Sequence, residues 1–364
     1  MKNTIGNNLT VTLFGESHGE AIGCVIDGIA PGISVDEEFI ASQMEKRKGI
    51  SSISTPRREE DKVKILSGVF EGKTTGTPIC LMIENSNTKS KDYTANRYLA
   101  RPGHADYTAE CKYHGFQDYR GGGHFSGRLT APLVAAGAIA ISALRSKGIY
   151  IGTHISRCAD IEDREFSNIS EDIALLDTLD MPVICEKKRK EMLSYIESVK
   201  AEGDSIGGIL STAVIGMPEG VGEPWFDTVE GMLSHALFSI PAVKGVEFGK
   251  GFEIAGMKGS EANDSFTVSD GKIITATNNN GGINGGITNG MPITFNLAVK
   301  PTPSIFKKQN TVDMKTAKEV ELEIKGRHDP AIIHRARVVV DSVTALVLCD
   351  LLVTRFGTDY LGCD

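Results

Sequence analysis

Apolar and polar positions alternate from Leu9 to Phe14, the spacing of a half-buried strand, and Ala21 to Asp27 forms a second, mostly apolar run of strand length. Between them lies a glycine-bounded turn, Gly15-Glu16-Ser17-His18-Gly19. Ser34, with Glu37 three residues on, reads as a capping box that opens a helix to about Lys48. Strand-like runs follow at Val63 to Phe70 and Pro78 to Ile83, and the polar stretch from Glu84 to Arg101 reads as an exposed loop. Ala131 to Leu144 is almost wholly apolar. With Thr130 placed to cap it and Pro132 in its first turn, a buried helix is expected there. Strands are expected near Ile149 to Ile155, Gly208 to Gly216 and Pro292 to Val299, and residues 160–180 read as acidic and irregular. Helical patterns run from Glu186 to Glu202, Thr228 to Phe238 and Ile332 to Phe356, with Asp329 placed to cap the last.

Strands and helices alternate without a strict βαβ rhythm or a long tandem repeat. The expected class is therefore α+β, with mixed or antiparallel sheets packed on helices. At 364 residues the chain can form one large domain or two ordinary ones. Its 40% hydrophobic and 24% charged residues are those of a soluble globular protein. Forty glycines point to tight turns and to close approach of backbone to ligand. A net charge of −8 argues against a general nucleic-acid binder and leaves a small anionic ligand open. Seven cysteines, an odd number with no Cys-x-x-Cys pair, read as buried free thiols in a reducing cytosol. The start of the chain has no apolar signal region, and the run from Ala131 to Leu144 is short for a bilayer. A cytoplasmic protein without a membrane span is expected.

Candidate chemistry gathers between Arg101 and Arg128. Arg101-Pro102-Gly103-His104-Ala105-Asp106 stands at one end and Gly121-Gly122-Gly123-His124-Phe125-Ser126-Gly127-Arg128 at the other. Arginine suits a planar, bidentate grip on carboxylate or phosphate, and histidine exchanges protons near neutral pH. With His18, Arg47, Lys300, Arg327 and Asp329 added, these residues would make a cationic pocket with proton-transfer groups, provided that they converge. The alternative is a glycine-rich turn before a buried helix, with its arginines in solvent.

A second glycine-dense loop, Asn278 to Gly286, is neither a Walker A loop nor a dinucleotide fingerprint, because strand, loop and helix do not follow in order. It could cradle a phosphate or a flavin edge, or be a wide hairpin turn. His104, His114 and His124 recur every ten residues, a spacing that matches no metal-ligand pattern, so no metal is expected. Gly15 to Gly19 imitates a nucleophile elbow, but a strand rather than a helix follows it.

Several ordered motifs resemble those of the chorismate synthase family. They are Gly15-Glu16-Ser17-His18-Gly19, Leu66-Ser67-Gly68-Val69-Phe70-Glu71-Gly72, Arg101 to Tyr107, Asp118 to Gly123, Gly203 to Gly207, Val243 to Glu247 and Gly326 to Pro330. The resemblance covers nearly the whole chain. It implies a single domain over residues 1–364 with a β-α-β sandwich fold around a helical core, assembled as a homotetramer. The implied reaction is the seventh step of the shikimate pathway, a trans 1,4-elimination of phosphate from 5-enolpyruvylshikimate 3-phosphate to chorismate. The implied cofactor is reduced FMN. NADPH enters only if the protein reduces its own flavin, and an external flavin reductase serves otherwise.

By the same resemblance His18 protonates the leaving phosphate, His104 stabilises the reduced flavin, and Asp329 helps to remove a proton. The flavin site is lined by His124, Phe125, Ser126, Ala242, Gly285, Lys300, Pro301, Thr302, Pro303, Ser304 and Arg327. The substrate meets Ser17, Arg47, Arg101, Arg128 and Arg327. The family's common Arg-Ser-Ser-Ala-Arg-Glu stands here as His124-Phe125-Ser126-Gly127-Arg128-Leu129, and Lys46 and Lys48 replace frequent arginines. Rival readings are a non-catalytic flavin- or phosphate-binding regulator and a metal-dependent phosphohydrolase.

Overall fold

A computed structural model describes residues 2–50, 52–54, 61–85, 97–324 and 329–362. Arg327, expected at both flavin and substrate, lies outside the described residues. The helices are α1 (Glu37–Lys46), α2 (Asp106–Tyr113), α3 (Thr130–Ser146), α4 (Ile169–Asp177), α5 (Glu186–Ala201), α6 (Val229–Leu237), α7 (Gly259–Ala262) and α8 (Ile333–Phe356).

Two five-stranded sheets, antiparallel throughout, enclose α3 and α8. The first runs Thr4–Ile5, Thr10–Gly15, Ala21–Asp27, Ile79–Glu84, Val63–Ser67 in spatial order. The second runs Val243–Phe248, Ile293–Val299, Gly208–Ile215, Tyr150–Cys158, Ile161–Glu162. α3 lies against the first sheet, α8 against the second, and the two helices pack on each other. The fold is therefore a β-α-β sandwich of the α+β class.

The two inner helices are buried on all sides and mostly apolar, as expected when both faces are covered. Residues 130–141 of α3 and 336–353 of α8 are buried without a break. Their closest approach is set by Gly137, where a Cβ atom would stand 2.2 Å from Ser342 Cβ and 2.5 Å from Ser342 Cα. Glycine in a helix costs about 1 kcal/mol relative to alanine. Here it removes the atom that would hold α3 and α8 apart.

Several local expectations change. The cap of α1 is Asp36, which accepts from Glu38 N at 2.9 Å and Phe39 N at 3.0 Å. Ser34 instead pairs in extended backbone with Lys73, which delays the helix. Thr130 is the first residue of α3 rather than its cap, because a 3-10 turn capped by Ser126, Gly127–Leu129, leads straight into the helix. Residues 160–180 contain α4, and α2 and the exposed hairpin of Phe266–Ser269 with Lys272–Thr275 were not foreseen. With the turn before it, α3 spans Gly127–Ser146, 20 residues, long and apolar enough for a bilayer by length and composition. That corrects the shorter run seen in sequence, although most of this helix is buried inside the fold. Six described cysteines are free; Cys24, Cys158 and Cys349 are buried, but Cys111 is exposed.

α8 also carries polar groups into the core. Asp341 accepts from Thr153 Oγ1 at 2.6 Å, and Thr153 meets Thr212 Oγ1 at 2.8 Å across the second sheet. Burial pushes the Asp341 carboxyl up to about 6, against the opposing pull of Arg337, the Thr153 bond and Lys46. The folded protein thus holds this proton more tightly than the unfolded chain, so the group costs no stability below about pH 4. Stability falls as pH rises toward 6, by at most about 3 kcal/mol. Asp341→Asn is expected to flatten this slope in urea-unfolding midpoints measured from pH 4 to 7. Gly137→Val is expected to lower stability by about 1–3 kcal/mol or more by the same measurement, because backbone as well as side chain must shift.

Candidate active site

The turn between the first two long strands is held from three sides. Gly15, at φ +93°, lets the chain leave its strand. Ser17 N donates to Gly123 O at 3.2 Å. Ser17 Oγ lies 3.1 Å from Gly121 O, 3.2 Å from Arg120 O and 3.0 Å from His18 Nδ1. Carbonyl oxygens only accept, so the hydroxyl proton points to them and Ser17 Oγ accepts from His18 Nδ1–H.

Gly121, Gly122 and Gly123 all have positive φ, and a Cβ on Gly121 would stand 2.1 Å from His18 Cε1. The glycine run therefore lays bare backbone against the buried imidazole. His124 Nδ1 donates to Gly15 O at 2.8 Å, so this side chain braces the same turn. Phe125 is 42% exposed and meets Tyr113 edge-on at 6.0 Å. Ser126 Oγ accepts from Arg128 N at 3.3 Å.

A buried charge cluster adjoins this turn. Asp61 bonds Arg128 Nη1 through one carboxylate oxygen and Arg47 Nη1 at 3.1 Å through the other. The side chains of Asp61, Arg128 and Arg47 are only 3%, 7% and 9% exposed. Arg47, at the end of α1, also donates to Thr130 Oγ1 and to Gly127 O, each at 3.0 Å. Arg128 Nε donates to Asn85 Oδ1 at 3.0 Å. Arg335, in the first turn of α8, donates to Arg47 O at 2.8 Å and pairs with Asp329. Asp329 is thus an ion-pair partner and not the cap of α8, whose N-cap, Ile332, makes no side-chain bond. Three guanidiniums stand against two carboxylates, a formal excess of one positive charge among these groups.

A second cluster lies on the other side of Asp329. Pro330 O accepts from Ile206 N at 2.7 Å, and the adjacent Ser205 Oγ donates to Thr302 O at 2.6 Å. His104 Nε2 meets the buried Ser304 Oγ at 3.0 Å, and Lys300 Nζ donates to Gly103 O at 2.6 Å. Pro303 packs against the same turn, 3.0 Å from where a Gly103 Cβ would be. Ala242, at φ +75°, accepts from Lys300 N at 2.9 Å, and exposed Pro301 follows. Arg101 forks onto Asp106 at 2.8 and 2.7 Å. Burial opposes the Asp106 charge, but the side-chain and backbone bonds from Arg101 outweigh it and hold the carboxyl below its usual range.

Of the residues singled out in the sequence, Ser17, His18, His124, Ser126, Arg128, Arg47 and Asp329 thus join one hydrogen-bonded network. His104, Lys300, Thr302, Pro303 and Ser304 form a neighbouring one, reached through Asp329 and its following proline. Gly285 stands apart. It occupies a two-residue hairpin turn between Ile283–Asn284 and Ile287–Thr288, at φ +63°, and its neighbour Gly286 accepts from Val229 N at 3.0 Å beside α6. The turn is tight rather than wide. Asp61, Asn85 and Arg335 went unnoticed in the sequence, because an acid, an amide and a base near strand or helix ends carry no local signal of what they will meet.

The comparisons with known proteins agree with this architecture. The family model described as chorismate synthase matches residues 9–353. The chorismate synthase of Pyrococcus abyssi is 48% identical over 350 residues, 96% of this chain and 97% of that protein. That of Lachnoclostridium phytofermentans is 47% identical over 362 residues, 98% of this chain and 97% of its own. A crystal structure of a chorismate synthase superposes with a TM-score of 0.77 at 30% identity, covering 98% of this chain and 95% of that one. Two sheets around a helical layer, with histidine, arginine and aspartate side chains networked at one end of it, accompany that match. The chain belongs to the chorismate synthase family of lyases.

Asp61→Ala would leave Arg47 and Arg128 buried without the carboxylate that they share. It is expected to destabilise the protein by about 3–5 kcal/mol, read from urea unfolding, as for the loss of one partner from a buried ion pair.

Proposed function

We propose that this chain converts 5-enolpyruvylshikimate 3-phosphate to chorismate and inorganic phosphate by trans 1,4-elimination, with reduced FMN as cofactor. The observation that carries the reading is the joining of Ser17–His18, Arg128, Arg47 and Asp329 in one network of a chain that matches the family almost end to end. The substrate has two carboxylates and a phosphate. Guanidiniums held in fixed directions and largely out of water suit that ligand.

The residues expected at the flavin fit an anionic, hydrogen-bonding group. Thr302 Oγ1 is buried without a partner among the described residues, and Lys300 and His104 stand on the segments beside it. In this reading Lys300, Thr302 and Ser304, with Ser126, Ala242 and Arg327, would hold FMN, and His104 would stabilise its reduced form. Reduced FMN, when bound, would supply transient electron density to a reaction that is redox-neutral overall.

The chain's own work is positioning and proton transfer. Arg47 and Arg128 grip the anion, so that the charge growing on the departing phosphate meets fixed donors. His18 Nε2–H gives the leaving phosphate its proton, while Ser17 keeps the other ring nitrogen occupied. Asp329, oriented by Arg335, receives the proton that the substrate loses. Fixed geometry of this kind can supply several kcal/mol of the barrier reduction. A homotetramer in the cytoplasm, supplied with reduced flavin by an external reductase or by NADPH, completes the proposal.

Purified protein with reduced FMN is expected to release phosphate and form chorismate anaerobically, and no phosphate release under those conditions overturns the reading. His18→Ala and Asp329→Ala should each cut kcat by about 10²–10⁴-fold with FMN binding largely kept. Arg128→Ala should raise KM strongly, and an unchanged substrate titration would remove Arg128 from the anion grip.

A further inference from the structure

We infer that Asn85 is a positioning residue, which ties the turn carrying His18 to the guanidinium of Arg128. It follows directly on the strand Ile79–Glu84, and its own N–H donates to Glu20 O at 2.9 Å. Its side-chain amide is fully committed. Nδ2 donates to Glu16 O at 3.0 Å and to Gly19 O at 2.9 Å, the two carbonyls that bracket Ser17 and His18. Oδ1 accepts from Arg128 Nε at 3.0 Å.

The orientation of the amide is unambiguous, because carbonyls only accept and a guanidinium only donates. The turn itself is closed by Gly19 N to Glu16 O at 3.0 Å, so Asn85 clamps its two ends together. Only a short amide offers two donors on one side and an acceptor on the other. A carboxylate of the same shape keeps the bond to Arg128 but sets a charged oxygen against two carbonyls. An alanine loses all three bonds.

This inference rests on the proposed function, in which His18 and Arg128 act on one phosphate. Their separation then decides whether the proton donor and the anion grip reach the leaving group together. A displacement of about 1 Å costs as much as 100-fold in rate.

The test compares Asn85→Asp and Asn85→Ala with wild type, using reduced FMN, and records kcat, KM and melting temperature for each. Asn85→Asp still receives Arg128, so KM should stay within about threefold while kcat falls by about 10- to 100-fold. Asn85→Ala should lower kcat and raise KM. A purely structural role would lower the melting temperature and leave the kcat of the folded molecules unchanged. Either variant, folded and with kcat within twofold of wild type, overturns the proposal. If Asn85→Asp does not fold, Asn85→Ala decides alone. A wild type without turnover would instead remove the functional reading on which the proposal stands.

Discussion

Two guanidinium groups share one carboxylate in a place nearly closed to water, and the rest of the candidate site is arranged around that fact. Burying Arg47, Arg128 and Asp61 carries a desolvation cost of several kcal/mol per ion, which is offset only when geometry and accessory hydrogen bonds are good. Here they come from three directions: Thr130 and Gly127 at the start of α3, Asn85 at a strand end, and the carboxylate itself. The arginines are therefore held rather than free to follow solvent.

That cluster exists because the sandwich brings its parts to one end. α3 enters the core just after Arg128, and α8 enters it just after Asp329, with Arg335 in its first turn. The close crossing permitted by Gly137 beside Ser342 fixes how the two helices lie. Arg335 reaches back to the carbonyl of Arg47, so the ends of α1 and α8 meet at the same place. Asp329 and its following proline then continue the network toward His104 and Ser304. The glycines of the His18 and Gly121 turns do different work. They remove Cβ atoms wherever backbone must lie against the imidazole or reverse at positive φ.

Where sequence reading missed, competing local interactions are the cause. Ser34 has the chemistry of a cap, but its backbone is drawn into pairing with Lys73, so Asp36 takes the role. Thr130 also looks like a cap, yet its hydroxyl donates to Gly127 O and accepts from Arg47. Asp329 precedes a proline and a helix, but the Arg335 guanidinium six residues on takes the carboxylate instead of the backbone N–H groups. In each case a partner distant in sequence, or a neighbouring turn, replaced the expected local bond.

Periodicity determined the long central strands, the helical stretches of α3 and α8 and the α+β class, because burial on one face or on all faces leaves its mark on every few residues. The ordered motifs also marked the family, since each lies in a short, recognisable stretch. Only the tertiary structure decided that Arg47 and Arg128 share Asp61, that Asn85 joins Arg128 to the His18 turn, and that Gly285 sits in a separate hairpin. These relations depend on distances between segments far apart in the chain. Such distances follow from how α3 and α8 pack between the sheets, and no local pattern encodes them.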